Sequence, residues 1–237
     1  MTPAARRRTA LVLALAAGAL LPAARGYCDD DPANFFSVNL GMNQPRSYVD
    51  FTNVGGGKAL NGKPGYAAGV QYLYHPSPVF GFGVEVDAAT RSKRDSNILI
   101  SNGKTTVSGQ TVLAMLVMRL VALPHAFIHP YLLLGGGYHL TTLKMESKPL
   151  PGYSWADTGT MEQRSLYNSR AGGAAAMGRV GLEVPLGDTL FLAAEGGLTS
   201  LGRVRFKPTP AAQALGFPPL QGTMLLGQAF LRVGARF

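Results

Sequence analysis

The chain has 237 residues, 46% of them hydrophobic, with 30 glycines, 16 prolines, one cysteine and a formal charge of +9. So much glycine and proline disfavours an all-helical protein, and a single thiol excludes a disulfide within the chain. Mean hydropathy is only +0.11, and past the first 26 residues no apolar run approaches the roughly 20 residues of a membrane-spanning helix.

At the N-terminus, Arg6, Arg7 and Arg8 precede the uncharged run 9–21, and Pro22, Ala23 and Ala24 follow it. A basic start, a short apolar core and small residues at the exit predict a secretory signal peptide over 1–26, cleaved after Ala24 or Gly26. Cys28 lies just beyond. Lipid attachment wants a small residue immediately before the cysteine, and Tyr27 fills that place, so the expectation is a free thiol in a periplasmic segment, 27–34. Removing the signal leaves 211 residues, one domain's worth. It also takes away four arginines and no acids, so the mature chain carries +5.

From residue 35 onward, period-two alternation and turn punctuation predict strands at 35–43, 65–74, 79–91, 108–121, 128–143, 171–184, 190–204 and 222–237. Many exceed the mean soluble strand of about 5 to 6 residues and suit a tilted membrane strand of about 9 to 11. The connections alternate: 44–64, 92–107, 144–170 and 205–221 are long, while 75–78, 122–127 and 185–189 are short. Short periplasmic turns and long external loops are the pattern of an outer-membrane barrel. The expected fold is all-β, an eight-stranded antiparallel up-and-down transmembrane β-barrel over 35–237.

Successive side chains of a strand face opposite sides. On the third strand Phe80, Phe82, Val84 and Val86 oppose Glu85 and Asp87; on the sixth, Ala174, Ala176, Val180 and Leu182 oppose Arg179 and Glu183. On the seventh, Leu190, Leu192 and Leu198 oppose Glu195 and Thr199. The fourth is less clean, since Leu113, Met115 and Val117 share the face of Arg119. The strand charges are Glu85, Asp87, Arg119, Arg179, Glu183, Glu195, Arg232 and Arg236, four of each sign, and all fit the non-lipid face. An eight-stranded barrel is too narrow for a channel and fills its interior with side chains. Compensated charges are tolerable there, so these eight read as a structural ion-pair lattice rather than a catalytic constellation.

The long connections, with Arg91 and Arg203 at strand ends, hold 14 basic and 5 acidic residues, a sum of +9. The periplasmic side holds Asp29, Asp30, Asp31 and Asp188. Arg91, Lys93 and Arg94, with Arg203, Arg205 and Lys207, fall where strands leave the bilayer, at the level of lipopolysaccharide phosphates. This distribution points to an anionic surface and away from nucleic acid. Tyr72, Tyr74 and Phe80 flank the first short turn, where an interfacial aromatic girdle belongs.

The last strand places Ala229, Leu231, Val233, Ala235 and the terminal Phe237 on one face, and Gln228, Arg232 and Arg236 on the other. This ending resembles the C-terminal signal by which outer-membrane barrels are recognised. With the alternating connections, the balanced strand charges and the glycine-rich segment from Pro130 to Tyr138, residues 33–237 resemble the small eight-stranded outer-membrane proteins of the OmpX/Ail and OmpA-barrel type. That resemblance implies an outer-membrane location, insertion by the barrel-assembly machinery with Phe237 as signal, and a monomer. It implies a structural or adhesive role, with lipopolysaccharide or anionic host ligands as partners.

Some barrels of this size modify lipid A, and that is the alternative. A deacylase-like dyad needs His and Ser two apart with an orienting carboxylate. His139 and Thr141 have the spacing, but threonine replaces serine and the pair faces inward. His75 and His125 fall in the short turns, and His129 begins a strand. Gly55, Gly56, Gly57 and Lys58 lack the spacing and following helix of a phosphate loop. Four scattered histidines and one cysteine suggest neither metal nor cofactor.

Overall fold

The structure, a computed structural model, describes residues 33–49, 64–96, 103–155 and 157–237, with the backbone alone at 45–49 and 91–96. Cys28 and the 55–58 glycine run lie outside the described residues. Eight strands form: β1 (Ala33–Val49), β2 (Gly65–His75), β3 (Phe80–Ser96), β4 (Gly103–Val121), β5 (His129–Pro149), β6 (Arg164–Leu186), β7 (Leu190–Phe206) and β8 (Leu220–Arg236). Each pairs antiparallel with its sequence neighbours, and β8 returns to β1, closing the ring. Closure satisfies every edge, which a sheet in hydrocarbon requires. At the seam, Asn34 N donates to Phe237 O at 2.8 Å and Phe237 N donates to Asn34 O at 2.9 Å.

The outward positions make a continuous apolar belt: Leu40 and Met42 on β1, Val84 and Val86 on β3, Leu116 and Leu120 on β4, Leu132 and Leu140 on β5, Val180 and Leu182 on β6, Leu231 and Val233 on β8. Leu116 is 71% exposed and Val180 64%, values no water-facing sheet sustains around a whole ring. Windows such as 112–120 and 132–140 match the roughly 9 to 11 residues of a tilted span. Tyr72, Tyr74 and Phe82 edge the belt near the first turn, with the Tyr74 and Phe82 rings edge to face at 5.6 Å.

The strands run further outward than sequence alternation suggests. The expected loop 144–170 is in fact the outer part of β5 and β6 around a shorter connection, and β7 and β8 likewise extend into 205–221. The cause is a change of phase. Within the belt, apolar side chains face out and polar ones in. Beyond it Lys144, Glu146 and Lys148 face out while Leu143 and Met145 face in. Val107, Leu166, Phe206, Leu220 and Met224 join them in an apolar core above the membrane. A helical turn, α1 (Pro210–Ala214), closes over it: Thr209 Oγ1 accepts from Ala212 N at 3.3 Å, Pro210 opens the turn, and Gly216, at φ 83°, follows it. Tyr167 Oη donates to Pro218 O at 2.7 Å and holds that segment down.

Candidate functional site: the charged lumen and the outer basic collar

The inward column of each strand brings the strand charges together in two groups rather than one. The central group contains Glu85 and Asp87 from β3, Arg179 from β6, Glu195 from β7 and Arg232 from β8, all buried. Arg179 Nη1 and Nη2 lie 2.5 and 2.6 Å from Glu85 Oε1 and Asp87 Oδ2. Arg232 Nη2 donates to Glu85 Oε2 at 3.0 Å and to Glu195 Oε2 at 2.9 Å, while its Nε lies 2.8 Å from Glu195 Oε1 outside hydrogen-bond alignment. Neutral donors fill the remaining acceptor sites: Gln71 to Glu85 at 2.6 Å, Asn39 to Asp87 at 3.0 Å, Tyr131 to Glu195 at 2.6 Å. The Phe230 ring lies 4.5 Å from the Arg179 guanidinium. Gly69 is required beside this group, because a Cβ there would stand 2.0 Å from Asp87 Oδ1.

The second group lies at the periplasmic end. Arg119 Nη2 and Arg236 Nη2 reach the two oxygens of Glu183 at 2.6 and 2.9 Å, and His129 Nδ1 stands 3.6 Å from Glu183 Oε1. Arg119 stacks 4.0 Å over Tyr131, whose hydroxyl belongs to the central group. The four-to-four count therefore divides unequally: three carboxylates against two guanidiniums in the centre, one against two below. His75, expected in a short periplasmic turn, is instead the last residue of β2, buried and packed against Phe35 with ring centroids 4.4 Å apart. Its neighbour Gly81 leaves the room, since a Cβ there would meet the imidazole.

Between lattice and outer apolar core sit His139, Thr111 and Thr141, fully buried and inward-facing. His139 Nδ1 is 3.2 Å from Thr141 Oγ1, and the two threonine hydroxyls are 3.1 Å apart. No cluster of metal-ligating side chains occurs among the described residues.

The outer charges fall into two places. Arg203 and Arg205 project outward and exposed from β7, and Lys207 follows them, its N–H bound to Ser169 Oγ at 3.1 Å. Arg203 Nη2 donates to Gln221 at 3.2 Å. Arg91 and Arg94 pair through their backbones with β4 on the opposite side of the ring, with Lys93 in the irregularity between them; their side chains lie outside the described residues. Strand register adds two residues to the β7 side that alternation left in loops: Arg170 on β6, opposite Thr142, and Lys144 on β5, opposite Asn168. Both are exposed, and Lys144 Nζ is 2.6 Å from Glu146.

A closed eight-strand ring, an apolar belt around it and charge sequestered inside leave one class of molecule. This is a transmembrane β-barrel of the small outer-membrane kind. No family model and no curated protein matches the chain. Among solved structures it is similar to Neisserial surface protein A, at 12% identity and TM-score 0.45 over 86% of this chain and 99% of that one. It is also similar to OprG of Pseudomonas aeruginosa, at 13% identity and TM-score 0.43, covering 89% and 99%. A third likeness is Ail, the attachment invasion locus protein of Yersinia pestis, in complex with the heparin analogue sucrose octasulfate, at 15% identity and TM-score 0.39, covering 87% and 99%. The barrel assignment rests on the closed register and the belt.

Proposed function

We propose that this outer-membrane barrel is a structural and ligand-binding surface protein, monomeric, with a packed lumen that is not a pore and a basic collar that holds lipopolysaccharide phosphates. The observation that carries the reading is the position of Lys144, Arg170, Arg203 and Arg205. They are exposed, face outward on three adjacent strands, and begin four residues, about 13 Å along the strand, beyond Leu140, the last outward leucine of β5. Lipid A phosphates lie at that level, and guanidinium groups bind them bidentately. Lys207, and Arg91, Lys93 and Arg94 across the ring, extend the collar. A ring with no free edge favours the monomer, and Phe237 is the feature the barrel-assembly machinery reads.

An inward, buried His139 argues for binding rather than lipid A hydrolysis, because substrate acyl chains lie on the other side of the wall. The test replaces Lys144, Arg170, Arg203, Arg205 and Lys207 with glutamine, and separately Arg91, Lys93 and Arg94. The first set should weaken lipopolysaccharide binding about tenfold and flatten its salt dependence, with folding unchanged. Equal binding across a salt series would overturn the reading. Loss confined to heparin would reassign the collar to a polyanionic host ligand. An acyl change in lipid A that vanished with His139→Ala would make the protein an enzyme.

A further inference from the structure

The lipid-facing wall of β4 to β7 is not level. A groove of about 370 Å³ opens there, lined by Leu116, Met118, Leu134 and Gly136. At Gly136 an added Cβ would meet nothing within 4 Å, and at Gly178, in register with Leu134, it would meet only Leu134 Cδ2 at 3.8 Å. Ala176 stands opposite Gly136, Ser200 opposite Ala176, and the small outward residues continue up β6 to Ala174. Leu198, half-exposed beyond Gly178 on β7, banks the far side. Tyr138, paired with Ala174, does not cover this floor. Its ring leans along β6 to Gly172, where a Cβ would stand 2.3 Å from Tyr138 Oη.

A local irregularity turns two cations onto the outer end of the groove. Along β7, Phe191, Ala193, Glu195, Thr199 and Leu201 face inward, so uninterrupted alternation would send Arg203 and Arg205 into the barrel as well. The register shift between Leu201 and Val204 inverts that phase, so that Val204 and Phe206 point in and both arginines point out. Gly202, at the shift, packs against β6, where a Cβ would stand 2.9 Å from Ala174 O. Arg203 therefore leaves the wall beside the groove's outer end. Arg170 stands four residues above Ala174 on β6, about 13 Å along the strand.

We propose that this groove seats an acyl chain of one lipid A molecule, whose phosphates are held above it by Arg203 and Arg170. The inference rests on the collar reading and goes beyond it by giving the lipid a fixed place and a stoichiometry of one. Lipid A joins two phosphates and several chains on one headgroup, so it engages cations on two strands and the groove below them together. A second copy of the chain fits this face badly. Two-fold pairing here would bring Arg170, Arg203 and Arg205 of one copy against the same cations of the other.

Native mass spectrometry of the folded protein in neutral detergent, titrated with purified hexa-acylated, bis-phosphorylated lipid A, should show one tightly retained copy. Gly136→Leu with Ala176→Leu fills the groove and should weaken that binding at least about fivefold. The same variant should bind the deacylated, bis-phosphorylated disaccharide as wild type does. Arg170→Gln with Arg203→Gln should weaken both probes. Ala68→Leu, on the lipid face of β2, should change neither. If the double leucine variant does not fold, Gly136→Leu alone, entering open space, should cost about two- to threefold. Undiminished lipid A binding by the groove-filled protein overturns the acyl seat and leaves the collar standing. Undiminished binding of both probes by the arginine variant overturns the collar and the inference with it. Equal loss in Ala68→Leu, or equally firm retention of phosphatidylglycerol, means ordinary belt lipid and overturns the fixed place. A dimer abolished by the leucines reassigns the groove to a second copy.

Discussion

The central lumen group makes an asymmetric prediction about which charge the barrel needs. Arg179→Ala removes the partner of Glu85 at 2.5 Å and of Asp87 at 2.6 Å, along with a 3.0 Å bond to Gln228. Asp87 is then left with the Asn39 amide alone, and three buried carboxylates share one guanidinium. Breaking a buried pair in this way costs on the order of 3 to 5 kcal/mol. Glu195→Gln does the opposite. It keeps the side chain's shape, with the amide oxygen accepting from Arg232 Nη2 and the NH2 donating to the Tyr131 oxygen, and it reduces three carboxylates against two guanidiniums to two against two. The loss is then the difference between a charged and a neutral hydrogen bond, about 1 kcal/mol. Urea unfolding in lipid vesicles, followed by heat-modifiable gel mobility and by fluorescence of the lone tryptophan, Trp155, measures both on one scale. Arg179→Ala should fall well below wild type and Glu195→Gln close to it. Equal destabilisation by the two would refute the unequal partition of charge.

Two further expectations concern the ends of the molecule. Deleting Phe237 should reduce folded protein in outer-membrane fractions several-fold, because the residue both closes the β8–β1 seam and presents the terminal aromatic; undiminished assembly would remove its role as signal. In the outer connection, hydrogen bonds from Arg164, with its charge, hold the Asp157 carboxyl below the ordinary carboxylate range. A depressed carboxylate supports the pair above its unfolded pKa and loses it as pH falls through the folded value, so the contact should fail below about pH 4. Arg164 lies 5.0 Å over Trp155, so tryptophan emission should change in that window and become flat in Asp157→Asn.

Strand number, direction and the membrane-spanning faces were legible in the chain because a bilayer imposes one rule on every outward position. Val84, Leu116, Val180 and Leu231 obey it without reference to any neighbour, and so do the buried Glu85, Arg179 and Arg232 on the alternate parity. Outside the hydrocarbon that rule lapses. There Lys144 points to water and Met145 into the barrel, so the same alternation continues with its polarity reversed and reads as irregular loop. Register decided what parity could not. Which carboxylate meets which guanidinium depends on stagger between strands far apart in sequence, and so does the gathering of Arg170 with Arg203 and Arg205. Alternation assigns a side chain to a face but says nothing of its height along the barrel axis. Height is what separated the eight lumen charges into a central group of five and a group of three at the periplasmic end, and it was set only when the ring closed.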